Sequence, residues 1–156
     1  MWYKHRMSVN STLDFIVDLH KRNSGALGFI PKPTMKKFIE DGQVFLKDEG
    51  GLYAGYFIIG STNRNNLKIY QACVEEDLRK LQYGKELFKE VIEHGLTYNC
   101  ESITLRCREN LNSNIFWKAL GCNLLYLDER QTQRTKKGVN VWEYKIKNKK
   151  QLNLFD

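Results

Sequence analysis

Leu67-Lys68-Ile69-Tyr70-Gln71-Ala72-Cys73-Val74-Glu75-Glu76-Asp77-Leu78-Arg79-Lys80-Leu81-Gln82-Tyr83-Gly84 is the stretch on which the fold turns. Its first part, residues 67–74, is rich in strand formers (Ile69, Tyr70, Val74) and reads as a strand. A polar loop follows. A helix is then predicted over about residues 82–98, because Leu87, Phe88, Val91, Ile92 and Leu96 recur at three- and four-residue spacing on one face. The first turn of such a helix leaves several backbone N–H groups without intrahelical partners. Together with the helix dipole they suit an anion of the pyrophosphate kind. Gly84 lets a ligand come close to the backbone, and Arg79 and Lys80 add positive charge. One glycine and two cations also fit an ordinary capped helix, so this stretch alone leaves both readings open.

Working outward, Ser11 or Thr12 can cap a first helix whose apolar face is Leu13, Ile16, Val17 and Leu19. Residues 25–33 read as a loop, because Gly25, Gly28, Pro31 and Pro33 break regular structure. A short helix over 34–40 stops at Gly42. Strands are expected at 43–47 and 52–59 around a turn at 48–51, with a further turn at 60–66. Downstream, a strand is expected at 102–107. A helix starts at Asn112 or Ser113 and ends at Gly121, and two strands follow at 122–127 and 139–146. Residues 2–7 supply one more strand. The predicted order is β-α-α-β-β-β-α-β-α-β-β. That is an α/β (α+β) fold with a mixed, mostly antiparallel central sheet of six to seven strands and about four helices. Residues 1–147 form the domain and 148–156 a flexible basic tail.

The chain has 156 residues, 42% of them hydrophobic and 28% charged, an ordinary composition for one domain. Apolar residues run throughout, which excludes disorder as the main state. No apolar run approaches the length of a membrane span, so no membrane partner is expected. The N-terminus has no apolar signal core, which predicts the cytoplasm, or the host cytoplasm for a phage-encoded chain. Cys73, Cys100, Cys107 and Cys122 form no C-x-x-C pair, so they are expected as free thiols with no metal site. The net charge is +7. Residues 130–150 hold eight basic side chains against one acid, Glu143, and the rest of the chain is balanced. A field of that kind favours an anionic ligand, although a solvated basic hairpin explains it equally well.

Two motifs add to this reading. Val74, Arg79 and Gly84 fall in register with the acetyl-CoA loop of the GNAT N-acetyltransferase superfamily, a strand-ending Val followed by R-x-x-G-x-G/A at the start of a long helix. Asn110-Leu111-Asn112-Ser113-Asn114-Ile115-Phe116-Trp117-Lys118-Ala119-Leu120-Gly121-Cys122 resembles that family's N-x-x-A-x-x-F-Y-x-K-x-G-F. The chain therefore resembles a GNAT acyltransferase over nearly its whole length. The resemblance implies acetyl-CoA as cofactor and direct transfer of the acetyl group to an amine. It places Ala72, Cys73 and Val74 along the pantetheine arm and Arg79, Lys80, Leu81, Gln82, Tyr83, Gly84 and Lys85 around the pyrophosphate. Asn110, Ser113 and Phe116 belong to the second motif. Tyr70 and Glu75 are the candidate catalytic residues, since both fall near the expected thioester.

Three positions depart from the family pattern. Gln82 replaces the first glycine of the loop, which predicts a narrower pyrophosphate site. Trp117 stands where many members carry a tyrosine that protonates the leaving thiolate, and indole cannot do this near neutral pH. Cys122 replaces an aromatic residue. His5, His20 and His94 lie outside the motifs. The basic segment favours an acidic acceptor. DNA is one such acceptor, contacted through Arg130, Arg134, Lys136 and Lys137, with Phe29, Tyr126 and Trp142 as stacking surfaces. The Mom-type phage enzymes that modify DNA bases share this architecture and basic bias. The terminal Gln151-Leu152-Asn153-Leu154-Phe155-Asp156 resembles the peptide by which bacterial proteins dock on the sliding clamp, with Gln151, Leu152, Leu154 and Phe155 as contacts. A binding module without turnover, recruited through hairpin and tail, is the reading from another class. Relatives dimerise, and a dimer is compatible with this sequence.

Overall fold

The computed structural model describes residues 8–49, 52–61, 65–79, 82–130, 136–148, 150 and 152–153. The elements are α1 (Val9–Arg22), α2 (Lys32–Glu40), β1 (Val44–Glu49), β2 (Leu52–Ser61), β3 (Asn66–Val74), a 3-10 turn (Glu76–Leu78), α3 (Tyr83–Thr97), β4 (Ser102–Arg108), α4 (Ser113–Ala119), β5 (Asn123–Asp128) and β6 (Val139–Lys145). The six strands lie in the order β1-β2-β3-β4-β6-β5. The β1–β2, β4–β6 and β5–β6 pairs are antiparallel, and β3 and β4 are parallel. This is the expected mixed, mostly antiparallel sheet with four α-helices. The strand predicted at 2–7 lies outside the described residues, as does the centre of the turn at 60–66.

Two helix starts differ from the sequence reading. α1 begins one turn early: Ser8 is its N-cap, and its hydroxyl accepts from the Ser11 N–H at 3.2 Å. Ser11 and Thr12 lie inside the helix, and Thr12 is fully buried. α2 begins at Lys32, ahead of the position expected for a stretch treated as broken by Pro33. Proline in a first turn loses nothing, because the N–H it lacks would have had no helical partner.

The chain forms two compact units. One comprises Met1–Ile59 with Gln71–Val91, the other Gly60–Tyr70 with Ile92–Asp156. In the first, Leu13, Ile16 and Leu19 of α1 and Met35 and Ile39 of α2 pack with Val44, Tyr56, Ile58 and Cys73. Full burial of each large apolar side chain contributes roughly 1.5–3 kcal/mol. In the second, Ile103, Leu105, Trp117, Val141, Trp142 and Tyr144 are buried. Asn114 ties that unit together. Its Nδ2 donates to the Arg108 and Leu111 carbonyls, and its Oδ1 accepts from Trp142 Nε1 at 2.9 Å and Asn140 Nδ2 at 3.1 Å.

Candidate active site

β3 and β4 pair only from Asn66↔Ser102 to Ile69↔Leu105, although β3 runs on to Val74 and β4 to Arg108. The backbone of Tyr70–Val74 on its β4 side is therefore not used by that ladder. β2 meets this part of β3 at very close range. A Cβ on Gly55 would lie 2.6 Å from the Cys73 carbonyl oxygen and 2.9 Å from Val74 Cα, so only glycine fits. The Glu75 N–H then donates to the Ala54 carbonyl at 2.8 Å, and the chain turns through Glu76–Leu78.

Two arginines fasten this turn to the end of α1. Arg22 donates to both carboxylate oxygens of Glu75, at 2.8 and 2.7 Å, and also to Asp18. Arg79 folds back on the strand end. Its Nε donates to the Val74 carbonyl at 3.1 Å and its Nη2 to Asn23 Oδ1 at 2.6 Å. The hydrogen bonds from Arg22 are the largest influence holding the Glu75 carboxyl below its usual pKa, and partial burial opposes them. Glu75, expected as a catalytic group, thus has the geometry of an anchor, since a carboxylate so paired is a weak proton acceptor. Neither Arg22 nor Asn23 was identified from sequence, because nothing local marks a pair 53 residues apart. Burial pushes the Cys73 thiol up to about 11, so it remains a packed thiol at neutral pH.

α3 opens at Tyr83, and its first described intrahelical bond runs from Glu86 N–H to the Gln82 carbonyl at 3.0 Å. The N–H groups of Tyr83, Gly84 and Lys85 belong to the first turn of α3, the part of a helix that suits an anion. Gln82 adopts φ +68°, the left-handed conformation that glycine takes freely, and its side chain is exposed. Lys47 pairs with Glu86 at 2.6 Å and sits 5.9 Å from the Tyr83 ring centre. Ala72 is half-buried, while Lys80 and Leu81 lie outside the described residues. A buried chain of hydrogen bonds holds the loop between α1 and α2: Tyr56 Oη donates to Gln71 Oε1 at 2.6 Å, and Gln71 Nε2 donates to the Gly28 carbonyl at 2.9 Å. His20 Nε2 donates to the same carbonyl, and the next residue, Phe29, is exposed.

In the other unit, Tyr70 is 43% exposed, and its ring lies over Gly60, where a Cβ would come 2.7 Å from the phenol oxygen. Lys68 Nζ is 5.5 Å from that ring's centre. Asn110 is exposed on the turn after β4. Ser113 Oγ lies 3.1 Å from Cys107 Sγ, and Phe116 meets Trp117 edge-on at 4.9 Å. Trp117 is only 5% exposed and belongs to the core. Trp142 is buried and bonded to Asn114, so it offers no stacking surface, whereas Tyr126 is exposed. Arg130, Lys136 and Lys137 are exposed; Arg134 lies outside the described residues. Of the tail contacts, Leu152 is half-buried, and Gln151, Leu154 and Phe155 lie outside the described residues. Among the described residues no cluster of His, Cys, Asp or Glu could hold a metal, and no helix is long and apolar enough to cross a membrane.

Residues 13–122 match the acetyltransferase (GNAT) family. Solved structures share the fold at low identity. The crystal structure of Ard1 from Thermoplasma volcanium superposes with a TM-score of 0.80 at 12% identity, over 92% of this chain and 97% of that one. The putative acetyltransferase yncA from Salmonella typhimurium, solved with its cofactor acetyl-CoA, gives 0.75 at 13% identity, over 92% and 93%. The ribosomal-protein-alanine N-acetyltransferase from Brucella melitensis gives 0.74 at 13% identity, over 90% and 98%. No curated protein matches the sequence.

Proposed function

The chain belongs to the acetyltransferase (GNAT) family, and on that footing we propose that it transfers an acetyl group from acetyl-CoA directly to an amine. One observation carries the assignment. β3 leaves the β4 ladder after Ile69↔Leu105, and five residues of strand then lead through a tethered turn to the start of α3. The donor set fits the cofactor. Tyr83, Gly84 and Lys85 lie in the helical turn whose N–H groups would meet a diphosphate, and Gly84, though buried, brings no side chain to it. The backbone of Ala72–Val74 presents the hydrogen-bonding groups that a chain of amides needs.

Acetyl-CoA supplies the activated thioester carbonyl. The protein's part is to bind and orient, which converts a bimolecular encounter into a positioned one. Arg22 and Arg79 hold the turn before α3 in place, and Glu75 serves as the acceptor of that tether. Tyr70 Oη carries an exchangeable proton at an exposed position on β3 and is the group assigned to proton transfer. Trp117 cannot take that role, because its indole is buried and carries no acidic proton.

A calorimetric titration with acetyl-CoA tests the assignment, with Gly84→Asp beside the wild type. We expect micromolar binding by the wild type and none by the variant, whose carboxylate faces the diphosphate. If the wild type shows no binding, the family fold here serves a purpose other than acetyl transfer.

A further inference from the structure

The first turn of α3 carries one acid, Glu86. A carboxylate there steadies the helix by facing its positive end. It also opposes any other anion brought to that end, because like charges then share one turn. Side chains on a helix lean toward its N-terminus, so Glu86 leans back over the turn that Tyr83, Gly84 and Lys85 form. A diphosphate bound at that turn therefore meets a negative neighbour.

That neighbour is paired from another element. Lys47 Nζ lies 2.6 Å from Glu86 Oε2 and 5.9 Å from the centre of the Tyr83 ring. The ammonium thus reaches both the carboxylate and the first residue of the helix. The Lys47 side chain is 25% exposed and that of Glu86 50%, so the lysine is the more enclosed partner. Its place on β1 is well defined. Lys47 stands opposite Gly55 in the β1–β2 ladder, and the register shifts immediately after it. Gly55 in turn is the residue that the Cys73 carbonyl and Val74 approach most closely. In the strand order Lys47 is two strands, roughly 10 Å, from the segment assigned to the pantetheine arm. An ion pair this open to solvent contributes little to folding. Its larger effect falls on the charge that an incoming anion meets.

We propose that Lys47 is a positioning residue for the cofactor: it neutralises Glu86, so that the first turn of α3 accepts a diphosphate. The inference rests on the acetyl-CoA reading above. Calorimetry with acetyl-CoA on the wild type, Lys47→Met, Glu86→Gln and the double variant tests it, with a thermal melt of each. Lys47→Met leaves the carboxylate uncovered and should raise Kd by about fivefold or more at low salt. The rise should shrink as added salt screens the two like charges. Glu86→Gln should bind at least as tightly as the wild type. In the double variant both charges are gone, so Kd should return to within about twofold of the wild-type value. If the wild type binds no acetyl-CoA, the cofactor assignment fails and this inference falls with it. Three results overturn the inference alone. One is wild-type binding that Lys47→Met leaves unchanged. Another is weaker binding by Glu86→Gln. The last is a double variant as weak as Lys47→Met, since the lysine would then hold the cofactor itself.

Discussion

At Gln82 a side chain occupies a backbone conformation that glycine takes freely. A left-handed residue with a Cβ costs about 1–2 kcal/mol, and glycine returns about 0.4–1 kcal/mol of that through the greater freedom of its unfolded chain. Gln82→Gly should therefore leave Tm level or slightly higher. It should also tighten acetyl-CoA by a few fold, because the loop would hold its φ of +68° without strain. Gln82→Val, with branching at Cβ, should lower stability by about 1–2 kcal/mol and weaken the cofactor. Thermal melts and calorimetry on the same three proteins check both statements, and a Gln82→Gly protein that melts well below wild type would contradict them. From the sequence alone Gln82 implied a narrower site. In the structure its backbone keeps the left-handed turn and its side chain is exposed. Residue identity was legible there, but φ was not, because conformation at a loop position is set by what precedes and follows it.

The Arg22–Glu75 pair joins α1 to the turn between β3 and α3. A general base removed by mutation costs about 10²–10⁴ in rate, whereas an anchor weakened by one charge does not. Glu75→Gln keeps a hydrogen bond to Arg22, so kcat should change by no more than several fold while KM for acetyl-CoA rises. A loss of kcat beyond a hundredfold with unchanged KM would restore Glu75 as the base. Arg22→Gln should mimic Glu75→Gln, and the double variant should be no worse than either, since they remove one interaction. The pair is partly exposed, so each single change should cost about 1 kcal/mol or less in stability. The pH dependence follows from the sign of the shift. Glu75 has a folded pKa below its ordinary value of 4.5, so the pair's contribution is complete above pH 4.5 and disappears as pH falls through the lowered value. Elements of this kind were read to different depths. α3 was legible within a residue at each end, because its five apolar residues repeat at helical spacing. The start of α2 was not, because a proline signals both a break and a helical first turn. The tether was not legible at all, because its partners meet only in the folded chain.

For the whole molecule, family and fold were legible because two motifs and the element order agreed, while the exposed edge at β5 was not. Its Leu-Leu-Tyr-Leu run reads in sequence as a strand, and only the strand order places it at the end of the sheet. Beyond β6, the Ile146 N–H donates to the Glu101 carbonyl at 2.9 Å, and the Ile146 side chain packs so closely on Gly95 that a Cβ there would collide with it. We propose that Ile146 seals the second compact unit and that residues 1–147 make up the domain. A chain ending at Lys147 should bind acetyl-CoA like the full chain and melt within about 2 °C of it, because no described core contact is removed. A chain ending at Lys145 also loses Ile146, and truncating a packed isoleucine costs roughly 2–4 kcal/mol, so its Tm should fall by several degrees. Gly95→Ala should destabilise the full chain through the same contact. It should matter less in the chain ending at Lys145, where the colliding side chain is gone. Melting curves for these five proteins decide the point. If both truncations behave alike, Ile146 is not the seal, and the domain boundary lies elsewhere.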